Sequence, residues 1–163
     1  MRYITEKEGL DEIESRFLFR QIVLGIEECH TQGVIHRDLK LENVLFESKG
    51  RSRIKIIDFG ISGVCKGLVK EDTDAGTLRY MSPEVLSGLD NKANPAIDIW
   101  GMGVMLYCMV FYKYPFNGSN HSIIKERIAN GEVLFPADTP VSVELKDIIR
   151  KLLTKDVSQR ISL

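Results

Sequence analysis

Two stretches of sequence decide the fold: HRDLKLEN at residues 36–43 and DFG at residues 58–60. The first concentrates charged side chains directly after the apolar pair Val34-Ile35. Either triplet, HRD or DFG, occurs alone in many unrelated proteins and is more often an ordinary turn than a site. Their meaning therefore depends on the elements that the rest of the sequence predicts around them.

Between the two stretches the sequence predicts a small β-hairpin. Two short β-prone runs lie at residues 44–46 and 54–57, and the residues between them have the composition of a turn. The charged stretch precedes one strand and DFG follows the other, so both lie at the same end of the hairpin. We therefore expect Asp38, Asn43 and Asp58 to lie near each other.

A helix is predicted upstream, beginning at Asp11. Asp11 can cap the first turn, and Glu14 completes the spacing of a capping box. Apolar residues then recur with a helical period and line one face: Phe19, Ile22, Val23 and Ile26. Gly33 ends the helix, which leads the chain into the charged stretch.

Downstream, a long loop is followed by helices. Residues 61–80 show no sustained period and contain several glycines, which predicts a surface loop. Beyond Pro83 the main helices are predicted at about 97–111, 122–130 and 142–153, the last with an apolar stripe. The predicted fold class is therefore mainly α with a small β-hairpin.

Composition and charge narrow the function classes. The chain has 163 residues, of which 44% are hydrophobic and 28% charged, as expected for one soluble globular domain. Lysine and arginine number 22 and aspartate and glutamate 23, a net charge of -1, so no basic excess indicates nucleic acid. The longest apolar run, residues 99–112, is shorter than the roughly 20 residues that a membrane span needs, so no membrane partner is predicted.

Cysteine usage indicates the compartment. Cys29, Cys65 and Cys108 lie far apart without a CxxC pair, which fits neither a zinc site nor a disulfide framework. Residues 1–10 carry charges and no apolar core segment, so they are not a signal peptide. We expect an intracellular, cytoplasmic protein.

The conjunction of motifs resembles the eukaryotic protein kinase family. Residues 36–43 resemble its catalytic loop and residues 58–60 its metal-binding motif. Further matches follow in the family's order: Ser82-Pro83-Glu84 where the family has Ala-Pro-Glu, then residues 98–104, then Asp156 with Arg160. The resemblance implies an α+β protein kinase-like fold. It assigns residues 1–163 to a partial kinase domain, the large C-terminal lobe, whose hairpin carries the catalytic and DFG loops.

The resemblance also implies roles for the charged residues. Asp38 would orient and deprotonate the acceptor hydroxyl, and Lys40 would place positive charge on the transferring phosphate. Asn43 and Asp58 would bind Mg²⁺, because this hard cation prefers oxygen ligands. A lysine two positions after the catalytic aspartate resembles the Ser/Thr class. The implied reaction transfers the γ-phosphoryl group of Mg-ATP to Ser or Thr hydroxyls of protein substrates.

Three loop residues have a functional interpretation and a plainer alternative. Thr77 matches the residue that hydrogen-bonds near the catalytic aspartate and lysine, or it is an ordinary loop threonine. Thr73 matches a phosphosite, modified by an upstream activating kinase and paired with Arg37, or it is also a plain threonine. Glu42 either faces a basic residue of the peptide substrate or only stabilises its own loop.

The resemblance gives structural roles to six further residues: His36, Phe59, Gly60, Glu84, Asp98 and Arg160. Asp98 would brace the backbone of the catalytic loop, and Glu84 would form a buried ion pair with Arg160. His36 and Phe59 would belong to a packed column, so His36 is interpreted as a core residue and not as an acid-base group.

Parts of the family pattern are missing from these residues. The sequence contains no GxGxxG phosphate loop and no VAIK-type lysine, and the family's final helices are not matched. We expect the chain by itself to have little kinase activity and its full-length parent to be active. The alternative is a non-catalytic lobe that serves as a scaffold or decoy. Within the family, residues 114–118 and 152–156 resemble calcium/calmodulin-dependent and SNF1-like kinases.

Overall fold

The computed structural model describes residues 2–48, 50, 52–59, 74–88 and 94–163. Within them the chain forms seven α-helices, a short 3₁₀ helix and two strands. The helices are α1 (Arg2–Lys7), α2 (Glu12–Thr31), α3 (Ala75–Leu78), α4 (Pro83–Leu86), α5 (Ala96–Phe111), α6 (His121–Asn130) and α7 (Val143–Leu152). The strands are β1 (Val44–Phe46) and β2 (Ile54–Ile56), and the 3₁₀ helix spans Leu41–Asn43. The mainly helical class with one small hairpin is confirmed for the described residues.

Helix α2 begins where the sequence predicts, beside a helix that the sequence does not predict. The Asp11 carboxylate caps α2 by accepting a hydrogen bond from the Glu14 N–H at 2.8 Å. The Glu14 carboxylate turns toward α1, where it accepts from Lys7 Nζ at 2.6 Å and from the Tyr3 hydroxyl. Helix α1 has only six residues, too few to show a clear period, and these tertiary contacts hold it. After α2, Gly33 takes a φ of 72°, the left-handed conformation that ends the helix.

The predicted hairpin is confirmed. Strands β1 and β2 pair antiparallel, with Val44 opposite Ile56. Strand β2 ends one residue earlier than predicted. The pairing nevertheless continues, because the Ile57 N–H donates to the Asn43 carbonyl at 2.9 Å.

Helix α2 holds the hairpin through one glutamine. Gln21 Nε2 donates to the Ser52 carbonyl at 3.1 Å, and Gln21 Oε1 accepts from the Ile54 N–H at 3.2 Å. Beside this contact the Phe46 ring of β1 meets the Tyr3 ring of α1 edge-on, with centroids 5.1 Å apart. The hairpin is therefore fixed between α1 and α2, which sets the position of the loops at its ends.

Helix α5 is the centre of the core. Every residue from position 97 to position 111 is buried, which explains why this stretch is apolar on all sides except at Asp98. Two glycines let neighbouring segments approach its backbone. A Cβ at Gly101 would lie 3.0 Å from the Leu39 carbonyl oxygen, and one at Gly103 would lie 2.8 Å from Leu152 Cβ. Helix α5 thus packs closely against α7 at Gly103 and against the charged stretch around Leu39 at Gly101.

The predicted loop over residues 61–80 is only partly correct. Residues 61–73 lie outside the described residues, but helix α3 lies within the predicted loop. The Asp74 carboxylate caps α3 by accepting from the Gly76 N–H at 3.0 Å, and Leu78 is fully buried. One buried anchor in a four-residue helix gives no period for a sequence pattern to show.

The helices predicted in the last third of the chain are confirmed. The observed bounds of α5, α6 and α7 differ from the predicted ones by one residue at most. Asn120 caps α6 by accepting from the Ile123 N–H, and Ser142 caps α7 by accepting from the Leu145 N–H. No helix in the described ranges is long and apolar enough to cross a membrane.

Candidate active site

Asp98 braces the charged stretch from the first turn of α5. Its carboxylate is fully buried and accepts three hydrogen bonds. Two come from the backbone N–H groups of His36 and Arg37, at 2.9 and 2.7 Å, and the third from His30 Nε2 at 2.8 Å. These bonds fix the backbone just before Asp38. Sequence reasoning missed His30, because it belongs to no motif and its partner lies 68 positions away.

His36 supports Asp38 from the other side and uses both ring nitrogens. Its Nε2 lies 3.0 Å from the Ile57 carbonyl oxygen, which can only accept, so Nε2 carries the proton. Its Nδ1 accepts from the Asp38 N–H at 3.3 Å. The ring also contacts the Phe59 ring, with centroids 4.6 Å apart. His36 therefore ties the segment after β2 to the segment before β1, and neither nitrogen is left to exchange protons with a ligand.

Asp38, Lys40 and Thr77 form one cluster. Lys40 Nζ lies 2.8 Å from Asp38 Oδ2 and donates to Thr77 Oγ1 at 3.4 Å. The Asp38 and Lys40 side chains are 13% and 20% exposed, so the cluster is partly shielded and still open to an approaching molecule. Helix α3 supplies the threonine from 37 positions along the chain. A carboxylate, an ammonium group and a hydroxyl thus meet at one point on the surface.

Asn43 lies next to Asp38 at the start of the hairpin. Its Nδ2 donates to the Asp38 carbonyl at 2.8 Å and lies 3.4 Å from Asp38 Oδ2. Because the amide nitrogen faces Asp38, the amide oxygen points elsewhere, and no group in the described ranges donates to it. Asp58 follows Ile57, whose N–H is bound to the Asn43 carbonyl. The Asp58 carboxylate is exposed and forms no ion pair within the described ranges.

Two residues of this region have a strained backbone. The φ of Arg37 is 68° and that of Asp58 is 65°. The left-handed conformation costs a residue other than glycine about 1 to 3 kcal/mol and is found most often at functional sites. At Arg37 the short hydrogen bond from its N–H to Asp98 helps to hold this conformation. Sequence gives little warning of such strain, least of all at an arginine.

Other predicted site residues are less well defined. Thr73 and Gly60 lie outside the described residues. Arg37, the predicted partner of a phosphate on Thr73, has a buried Nε with no hydrogen-bond partner in the described part of the chain. Glu42 lies exposed on the 3₁₀ helix and forms no ion pair with any described residue.

Glu84 and Arg160 form a buried, two-pronged ion pair. Arg160 Nη1 lies 2.7 Å from Glu84 Oε1, and Arg160 Nη2 lies 3.0 Å from Oε2. The guanidinium also donates to the carbonyls of Thr154 and Ala96, at 2.9 and 2.8 Å. The pair therefore joins α4 to the start of α5 and to the segment that follows α7.

Helix α3 is anchored to the segment before α6. Arg79 Nε and Nη2 donate to Asn117 Oδ1 at 3.2 and 3.0 Å, and the guanidinium lies 5.0 Å from the centroid of the Tyr114 ring. Tyr80 meets Tyr114 edge-on at 5.7 Å, and burial raises the pKa of Tyr80 well above its usual range. Tyr80 therefore stays neutral and packed. These contacts set the position of Thr77.

The sequence analysis did not identify two exposed apolar side chains that lie close in sequence to Asn43 and Asp58. Leu45 is 49% exposed and Ile57 38% exposed. Leu45 is the outward residue of β1, between the half-buried Val44 and Phe46. Strand alternation was the signal that could have identified Leu45, since it places this leucine on the face opposite the core.

Comparison with known proteins identifies the family. The protein kinase domain model matches residues 1–163. Similar relatives include SNF1-related protein kinase catalytic subunit alpha KIN12 of Arabidopsis thaliana, 40% identical over 161 residues, and human NUAK family SNF1-like kinase 2, 39% identical over 161 residues. Serine/threonine-protein kinase ssp1 of Schizosaccharomyces pombe is 38% identical over 160 residues.

These matches cover 99%, 99% and 92% of the chain, and 31%, 25% and 24% of the respective relatives. The chain thus spans about a quarter to a third of the length of these relatives. A family model that matches along the whole chain, together with relatives named as kinases, shows that the chain belongs to the protein kinase family.

Proposed function

We propose that a kinase containing this chain transfers the γ-phosphoryl group of Mg-ATP to Ser or Thr hydroxyls of proteins. The observation that carries the proposal is the placement of Lys40 Nζ, within reach of both Asp38 Oδ2 and Thr77 Oγ1. Phosphoryl transfer depends on positioned groups and on stabilisation of charge at the phosphoryl oxygens. This cluster offers a base, a cation and an ordering hydroxyl together.

Asp38 orients the acceptor hydroxyl and takes its proton. Its Oδ2 is occupied by the Lys40 ammonium group, while no described residue donates to Oδ1. The second oxygen is therefore the acceptor for the substrate's proton. Lys40 neutralises charge on the transferring phosphate, and its link to Thr77 ties the acceptor side of the site to α3.

Asn43 and Asp58 have the right donor atoms for Mg²⁺. Mg²⁺ takes oxygen ligands, often only one or two from the protein and the rest from phosphate and water. The Asn43 amide oxygen faces away from Asp38, and the Asp58 carboxylate is exposed, so both have capacity for a cation. The bound metal would neutralise phosphate charge. Leu45 and Ile57 add exposed apolar surface nearby, which suits the flat face of a purine.

Residues 1–163 constitute the large C-terminal lobe of the kinase domain in this proposal. The helical core around α5 and the hairpin beside the acidic groups support the assignment. The chain by itself transfers phosphate slowly, since its sequence holds the acceptor side of the site without a phosphate loop. The free thiols of Cys29 and Cys108 suit a reducing, cytoplasmic setting.

The proposal also includes regulation and substrate recognition. Arg37 pairs with a phosphate that an upstream kinase places on Thr73, and its buried, unpartnered Nε within the described ranges supports this role. Glu42 attracts a basic residue of the substrate, since its carboxylate is exposed beside the Asp38 loop.

The test measures phosphate transfer by the full-length kinase, its Asp38→Asn variant and the 163-residue chain alone, each with Mg-ATP and a mixture of peptides. We expect the full-length kinase to be active and the variant to lose about 10²- to 10⁴-fold in rate. Asp147→Asn, an exposed carboxylate on α7, is the matched control and should keep full activity. No transfer by the full-length kinase would favour the scaffold alternative, and full activity of Asp38→Asn would remove Asp38 from the mechanism.

A further inference from the structure

A groove lies on the face formed by α7 and the segment after α6, and shares no residue with the Asp38 cluster. Its volume is about 690 Å³. One wall is the segment from Asn130 to Phe135, and the other comes from α7 and the residues that follow it. Its charged lining residues are Glu132, Lys146, Arg150 and Lys155. The proposed reaction uses none of these side chains, and only Lys155 lies in a stretch, residues 152–156, that the family resemblance includes.

The first wall has the character of an unpaired strand. Residues 131–136 contain no helix, turn or bend, and exposure alternates along them: Glu132 and Leu134 are exposed, whereas Val133 and Phe135 are half-buried. Leu134 itself is 71% exposed. Such a period of two is typical of an extended chain with one covered face.

The backbone of this wall is largely unpaired. The Leu134 carbonyl accepts from the Tyr107 hydroxyl of α5 at 2.8 Å. The N–H groups of Glu132, Val133 and Leu134 donate to nothing in the described part of the chain. Since backbone groups of successive residues in an extended chain point to opposite sides, the Val133 N–H and C=O point away from the side that Tyr107 occupies. That side is an open edge for another extended chain.

The second wall is positively charged. Lys146 and Arg150 lie one helical turn apart on α7, above the Phe135 ring, with distances to its centroid of 5.9 and 4.8 Å. Lys155 lies 3.7 Å from the centroid of the Phe116 ring. None of the three cations has a carboxylate within ion-pair distance among the described residues. The Lys155 ammonium group also donates to the carbonyls of Arg127 and Ile128, so Lys146 and Arg150 are the cations that a ligand can meet. Against the carboxylate of Glu132 they leave an excess of one positive charge in the groove, in a chain whose net charge is -1.

We propose that this groove docks an extended, acidic peptide segment of a partner protein. The segment pairs its backbone with the open edge at Val133 and directs carboxylates toward Lys146 and Arg150. The two walls together select this partner. A phosphate or a nucleic acid would satisfy the cations alone, whereas only a peptide also pairs with a strand edge. The exposed Leu134 offers apolar contact between successive carboxylates of the peptide.

The test uses fluorescence anisotropy with the chain and a labelled probe peptide, acetyl-Glu-Val-Asp-Val-Glu-Val-Asp-amide. Measurable binding is expected, with the double variant Lys146→Gln/Arg150→Gln about tenfold weaker, since each exposed ion pair contributes about threefold. Lys151→Gln is the matched control. It removes an exposed cation of α7 that lies outside the groove and is paired with Asp147, so the affinity of this variant for the probe peptide should stay within twofold of the unchanged chain.

Two further probes separate a peptide site from a general anion site. The same peptide with alternate backbone nitrogens methylated keeps its charge but cannot complete the strand pairing, so we expect it to bind several-fold more weakly. A single-stranded oligonucleotide of equal charge should compete poorly. The proposal would be overturned if the probe did not bind, or if the double variant bound it as tightly as the unchanged chain. It would also be overturned if the methylated peptide bound as tightly as the probe, or if the oligonucleotide competed as well as the unlabelled peptide. Thermal melts of the surface variants check that they remain folded.

Discussion

The Arg160→Ala substitution should destabilise the fold severely. The Arg160 side chain has no exposed surface and that of Glu84 is 9% exposed, and two short hydrogen bonds join them. Removing the guanidinium leaves a buried carboxylate without its partner, which costs about 3 to 5 kcal/mol. A domain of this size has a total stability of about 5 to 15 kcal/mol, so the loss is a large fraction. At about 2 to 4 °C per kcal/mol, the melting temperature should fall by roughly 6 to 20 °C.

Thermal and urea unfolding followed by circular dichroism measure this effect. Lys151→Ala is the control, because it breaks an exposed pair with Asp147 on α7 and should change stability by less than about 0.5 kcal/mol. A double variant, Glu84→Gln with Arg160→Met, removes both buried charges and should be more stable than Arg160→Ala. A loss of less than about 1 kcal/mol for Arg160→Ala would mean that the buried Glu84 carboxylate does not depend on Arg160.

Three further outcomes test packing and electrostatics. Gly103→Ala should lower the free energy of unfolding in urea by about 1 to 3 kcal/mol, because the new Cβ would lie 2.8 Å from Leu152 Cβ. An unchanged urea midpoint would contradict this close approach of α7 to α5. Hydrogen bonds from the Ser142 hydroxyl and N–H lower the pKa of Glu12, so this stabilisation is present above pH 4.5 and lost as pH falls through the lowered pKa. Glu12→Gln should therefore lower the free energy of unfolding at pH 7 and change it little near pH 2. An equal loss at both pH values would contradict the lowered pKa of Glu12. Burial and then Arg160 lower the pKa of Lys155 to about 8 from 10.5, against the opposing attraction of the Phe116 ring. Between pH 8 and pH 10.5 the unfolded chain therefore binds more protons than the folded chain. The free energy of unfolding of the unchanged chain, relative to that of Lys155→Met, should rise from pH 8 to pH 10, and a difference that does not change with pH would mean that Lys155 has an ordinary pKa.

Local patterns in the sequence predict most of the fold. The cap at Asp11, the helical period after it and the turn composition inside the hairpin are all short-range signals, and the elements that they predict are confirmed. The same short-range signals did not predict helices α1 and α3. They are too short to show a period, and contacts with distant residues stabilise them, such as the bond of Lys7 to Glu14.

The sequence predicted which site residues lie together only where the hairpin, or the family resemblance, links residues that are far apart in the chain. The hairpin alone places Asp58 close to Asn43, because strand pairing brings the two ends of the hairpin together. No local pattern could bring Thr77 to Lys40 or His30 to Asp98, since these contacts depend on how α3 and α5 pack. The positive φ values of Arg37 and Asp58 likewise come from tertiary contacts, which a sequence pattern does not contain.

The acceptor hydroxyl that the full-length kinase selects shows whether Asp38, Lys40 and Thr77 serve Ser/Thr phosphorylation. Three peptides that differ only in carrying one Ser, Thr or Tyr are offered to the full-length kinase with Mg-ATP, and the phosphorylated residue is identified. The cluster of Asp38, Lys40 and Thr77 predicts phosphoserine and phosphothreonine, both lost in Asp38→Asn. Phosphotyrosine as the main product, or transfer that survives Asp38→Asn, would contradict the account.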